Sequence, residues 1–172
     1  MLQALLATAF AVLASLIWAH AGGLKVARPS EYSMIAEGYL GRPVAPVLLR
    51  LLGAIELLLA VFILLPSSRA WAAVVSASLL LCYAGVMWRQ IDTLQVAMRC
   101  GCGGFASNTR VSSELVVRNL CLVLVMIYLG FPVATGHHQV VAVGVIMGAG
   151  LYICYLAVDQ LIANSQQLRG LA

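Results

Sequence analysis

Charge is what this sequence has least of. Six acidic and ten basic residues make up 9% of the 172-residue chain, where a soluble domain carries roughly 25%. That shortage excludes an ordinary soluble globular protein. No basic run is interleaved with aromatics, so nothing points to nucleic-acid binding. No repeat and no Pro/Ser-rich linker divides the chain, which reads as one integral membrane domain over residues 1–172. No Lys or Arg precedes Lys25. The first apolar run therefore lacks the basic start of a signal peptide, despite the small residues of Ala19-His20-Ala21, and reads as a retained span.

What the chain has in excess is apolar sequence, at 63%. It is gathered into five runs near the ~20 residues that cross a bilayer: roughly 2–20, 47–65, 70–88, 114–131 and 139–163. The fold class is all-α: a polytopic membrane helical bundle with a four-helix core plus one further span. Pro66-Ser67-Ser68-Arg69 predicts a tight turn with its flanking spans antiparallel. Gly144 and Gly148 form a small-xxx-small pair of the kind found at close helix contacts. Between the first two spans, Tyr32, Ile35, Ala36 and Tyr39 recur at helical spacing behind Ser30 and Glu31. This predicts a short interfacial helix capped by Ser30, with its tyrosines toward the lipid boundary.

A 25-residue connection, 89–113, carries Met98-Arg99-Cys100-Gly101-Cys102-Gly103-Gly104-Phe105. Two thiols one residue apart meet only across a sharp bend, which the glycines permit. Such a strained disulfide suits exchange better than stapling. A structural disulfide, inert thiols and a metal site are the alternatives for Cys100 and Cys102. Metal is disfavoured, because two thiolates need further ligands. His137 and His138 fall at the opposite face, leaving His20 as a lone third ligand.

Helix direction places Cys82, Cys121 and Cys154 in the same half of the bilayer as this loop, roughly 9–13 Å below its face at 1.5 Å per residue. They are possible secondary thiols buried beneath it, although a buried free cysteine is as readily a small apolar residue. Arg99 adjoins Cys100, Arg118 lies one helical turn before Cys121, and Arg89 shares a helix face with Cys82. A neighbouring guanidinium favours the reactive thiolate. Glu56 sits mid-span and is expected to face the interior as a functional candidate, within reach of Arg50 or Arg118. Asn119 and Asp159 lie in that half too. Of the ten basic residues, only Arg69 is on the far face, so charge bias puts the cysteine loop in the cytoplasm.

Gly23-Leu24-Lys25 with Tyr39, the prolines before the second span, and Ile55-Glu56-Leu57 resemble the DoxX-like membrane proteins. Cys100-Gly101-Cys102, Gly104-Phe105, Val111-Ser112 and Arg118-Asn119 are similar to the MauE branch of methylamine-utilisation proteins. Gly103-Gly104 after the second cysteine departs from the commonest form of that motif. The resemblance implies a bacterial inner-membrane protein that assists disulfide formation or isomerisation in the small subunit of methylamine dehydrogenase, a periplasmic chain, beside a thioredoxin-like (MauD-type) partner. Cys100 and Cys102 would be the exchanging pair, with Glu56, Arg118 and Asn119 in support. That role wants the loop outside, whereas the charges put it inside. Two alternatives stand beside it. One is a non-enzymatic assembly or anchoring subunit with structural cysteines. The other is a subunit of a sulfur-oxidising DoxX-like complex that binds a quinone near Glu56 and Arg50.

Overall fold

The computed structural model describes residues 1–93, 113–131 and 138–169. Six helices follow one another: α1 (Leu2–Ala27), α2 (Pro29–Leu40), α3 (Pro46–Leu64), α4 (Arg69–Thr93), α5 (Ser113–Gly130) and α6 (His138–Arg169). All but α2 are long and apolar enough to cross a membrane. With no water in hydrocarbon to satisfy the backbone, helices are the solution such runs must adopt. The protein is a multi-pass helical membrane bundle. On the outward side of α4, Trp71 is 77% and Trp88 56% exposed. They stand about 25 Å apart along the helix axis, the separation of two aromatic belts flanking a hydrocarbon layer.

α1, α3, α4 and α5 form the core around Trp18, Leu59, Ile63, Leu80, Leu122 and Met126. α1 takes most of the packing of α3, and α5 most of that of α4. The turn at Pro66–Ser68 closes on the Leu65 carbonyl, which accepts from the Ser68 and Arg69 amides. α6 lies outside this core against α1, as the expected fifth helix. Gly144 and Gly148 make the contact. A Cβ on Gly144 would sit 2.7 Å from Thr8 Cβ, and one on Gly148 2.5 Å from the Ala9 carbonyl oxygen.

Two expectations need correction. The first helix does not stop near His20 but runs through Gly22-Gly23 to Ala27. The glycines are tolerated because Gly22 is a crossing point: a Cβ there would meet the Gly53 carbonyl oxygen of α3 at 2.6 Å, and one on Gly53 would meet the Gly22 carbonyl oxygen at 2.7 Å. The interfacial helix forms as expected, but Arg28 rather than Ser30 occupies the cap position, with Pro29 in the first turn. Pro suits that turn because its missing N–H has no intrahelical partner there anyway. α2 ends at Gly41, whose φ of 64° is left-handed, a conformation glycine adopts without penalty. Tyr32, Ile35, Ala36 and Tyr39 are half-buried, and the Tyr32 ring lies 5.9 Å from the Lys25 ammonium. Ser33 donates to the Val44 carbonyl, and Gln90 of α4 donates to the Tyr39 carbonyl at 2.9 Å. α2 thus covers one end of the core.

Candidate functional site: a buried ion pair between α1, α3 and α4

The close glycine crossing decides what lies beside it. Gly22 is three residues before Lys25 and Gly53 three before Glu56, so each glycine shares a helix face with a charged residue. The approach of α1 and α3 brings those charges together. Lys25 Nζ donates to both carboxylate oxygens of Glu56 at 2.7 Å. Glu56 is fully buried and Lys25 nearly so. From α4, the Tyr83 hydroxyl donates to Glu56 Oε1 at 2.5 Å. The ammonium also lies 5.5 Å from the Tyr83 ring centre and 5.9 Å from that of Tyr32 on α2, within cation–π range. The carboxylate accepts three charge-assisted bonds, and the cation has two aromatic faces. An ion pair inside a bundle is tolerable only when so fully engaged. Tyr83 is five residues below the Trp88 belt, about 7–8 Å at 1.5 Å per residue, so the cluster lies within the hydrocarbon layer.

A second polar chain runs from α1 through α6 to α5. His20 Nδ1 and the Tyr152 hydroxyl share a hydrogen bond of 2.7 Å. Tyr152 stacks on Tyr155 with ring centres 6.4 Å apart. The Arg118 guanidinium lies 5.3 Å from the Tyr155 ring centre and donates through Nη1 to Asp159 Oδ1. Arg118 and Asp159 are both largely removed from solvent. Asn119 is buried, with its amide 3.6 Å from Met87 Sδ.

The arrangement corrects several expected pairings. Glu56 faces the interior as anticipated, but its cation is Lys25, in the last turn of α1, rather than Arg50 or Arg118. Arg50 is exposed on α3 and, among the described residues, does not pair with Glu56. Arg118 is turned to Asp159 rather than to Cys121. Cys82, Cys121 and Cys154 are free thiols exposed on the outer surface of the bundle, not buried in it. Helix rotation explains this. α4 buries Ala73, Ser76, Leu80, Ala84 and Met87, and α5 buries Leu115, Asn119, Leu122, Met126 and Leu129. These stripes recur every three or four residues and leave Cys82 and Cys121 off the packed face. α6 packs through Gly144 and Gly148, and Cys154 faces away. An interior thiol relay is therefore not assembled from these three. Cys100, Cys102 and Arg99 lie outside the described residues. Among the described residues, no cluster of three His, Cys, Asp or Glu could hold a metal ion.

Residues 2–132 match the family model described as methylamine utilisation protein MauE. The chain belongs to the MauE family. The matched region takes in α1 to α5, and with them the Lys25–Glu56–Tyr83 cluster, Cys100, Cys102, Arg118 and Asn119. α6, which supplies Tyr152, Tyr155 and Asp159, follows the match. Neither the curated proteins nor the solved structures compared with the chain give a match. Membership of the MauE family associates this membrane protein with methylamine utilisation.

Proposed function

We propose that this chain is a membrane thiol–disulfide oxidoreductase of the bacterial inner membrane, acting in maturation of the methylamine dehydrogenase small subunit beside a thioredoxin-like partner. The observation that carries the reading is Cys100-Gly101-Cys102, a glycine-flanked dithiol inside the segment matched by the MauE family model. The thiolate of one cysteine attacks a sulfur of the partner's disulfide. A mixed disulfide forms and one partner thiolate leaves. The second cysteine then attacks the mixed disulfide from this chain's side. The products are a Cys100–Cys102 disulfide and a reduced partner dithiol. Two electrons have moved to the partner, with the protons following each thiolate's pKa. Run in reverse, the same steps oxidise the partner; relative potentials set the direction.

Cys82, Cys121 and Cys154 lie on the outer surface of the bundle, and the reading assigns the exchange to Cys100 and Cys102 of the loop. Lys25, Glu56 and Tyr83 hold the bundle that carries it: they join α1 and α3 to α4, the helix that leads into the loop. Replacing Cys100 and Cys102 together by Ser is expected to abolish maturation of the small subunit while the protein still accumulates in the membrane. Full maturation in that variant contradicts the reading and favours a structural assembly subunit. In variants retaining only Cys100 or Cys102, an impermeant maleimide applied to intact cells reads the side of the loop. The charge bias toward the loop face predicts protection; labelling places the loop with its periplasmic substrate.

A further inference from the structure

At the end of the bundle away from the cysteine loop, a groove of about 210 Å³ opens between α6 and the α3–α4 turn. Its floor is a stripe of small residues on α1, Ala4, Ala7, Thr8 and Ala11, and its walls include Pro66 and Val145. Arg69 lines it as well. This guanidinium is half-buried, and its Nε donates to the Ile63 carbonyl at 3.1 Å. Among the described residues no carboxylate pairs with it. Exposed Trp71, two residues further along α4, marks the headgroup level. The site thus combines an apolar slot running inward from the interface with an arginine fork at phosphate depth. One bond anchors Nε, and the terminal nitrogens have no carboxylate to meet. A planar fork of this kind is the group best matched to a phosphate.

We propose that this groove is a specific phospholipid site: Arg69 binds the phosphodiester, and one acyl chain lies along the small-residue stripe of α1 between α6 and the α3–α4 turn. The lipid supplies the anion that the protein does not. Lying between α6 and the α3–α4 turn, it bridges α6 to the core at this end, beside the Gly144 contact with Thr8.

The test uses the full-length protein in nanodiscs containing a phosphatidylglycerol with a photoactivatable diazirine on its acyl chain. A diacylglycerol with the same chain is the phosphate-free control. Crosslinks are mapped by mass spectrometry. With phosphatidylglycerol they are expected to concentrate within residues 4–12 and 141–145. Arg69→Gln should reduce them about tenfold relative to crosslinks elsewhere on the same molecules, Arg69→Lys should reduce them less, and diacylglycerol should show no enrichment. Val145→Trp fills the groove from its exposed wall, leaves Arg69 in place, and should also remove the enrichment. Crosslinks elsewhere report whether each variant is folded. Equal labelling of these segments in the wild type and the groove variants, or equal labelling by the two probes, identifies annular lipid only and overturns the proposal.

Discussion

Lys25 and Glu56 bear on stability in a way their opposite charges alone do not. Taking both ions out of water is costly, and their mutual bonds roughly offset that cost. Removing one partner leaves the other charged, buried and unpaired, which typically costs 3–5 kcal/mol. Glu56→Leu and Lys25→Met are each expected to lower stability by about that amount. The double variant should lie well above the sum of the two, with a coupling energy readable from a double-mutant cycle of unfolding in detergent. Tyr83→Phe removes one bond to a charged acceptor and should cost about 1.5–3 kcal/mol. Additive effects of Lys25→Met and Glu56→Leu would mean that the pair does not form. Of this cluster, only Glu56 was legible in the sequence, as an acid in an apolar run. Lys25 was not, because Gly22-Gly23 reads as a helix end unless the second glycine-to-charge spacing, at Gly53 and Glu56, is set beside it. Tyr83 gave no signal, since a tyrosine in a span is unremarkable until its hydroxyl has a partner.

Among the elements, the contacts of α1 with α3 and α6 are made by glycines, as expected where lipid tails compete with apolar side chains and close backbone approach does the joining. Gly53→Leu should drive α1 from α3 and break the Lys25–Glu56 bonds with them, giving a loss of stability at least as large as that of Glu56→Leu. Gly148→Leu should act differently, displacing α6 from α1 while α1 to α5 keep their packing. Limited proteolysis can tell the two apart, because the second variant is expected to release α6 fragments early. Early release from Gly53→Leu instead would contradict the arrangement of core and fifth helix.

Element positions and the Gly144/Gly148 contact were legible because apolar length and small-residue spacing are one-dimensional signals. Helix rotation was not. The depths of Cys82, Cys121 and Cys154 follow from counting residues, but whether each faces the core depends on which stripe packs. Cys82 lies two residues beyond buried Leu80, about 200° around the helix, and only the packed stripe reveals that it turns outward.

For the whole molecule, polar groups gather toward the end that carries the cysteine loop. The Lys25–Glu56–Tyr83 cluster ties α1, α3 and α4, and the Arg118–Asp159 pair ties α5 to α6. Replacing Arg118 by Met should loosen α6 at this end, with the loss largely recovered when Asp159 is also made Leu, because the orphaned carboxylate is then gone. These buried networks hold the helices that flank Cys100 and Cys102 in the sequence, where thiol exchange is proposed. The most direct measurement is mixed-disulfide trapping in membranes that contain the thioredoxin-like partner. With Cys102 replaced by Ser, or Cys100 replaced by Ser, one of the two remaining thiols should hold the partner in a covalent adduct. That adduct should be visible on a non-reducing gel and lost on reduction. It should persist in a background lacking Cys82, Cys121 and Cys154. If neither single variant yields an adduct, or if the adduct depends on one of the three outward-facing thiols, exchange does not occur at the Cys-Gly-Cys loop.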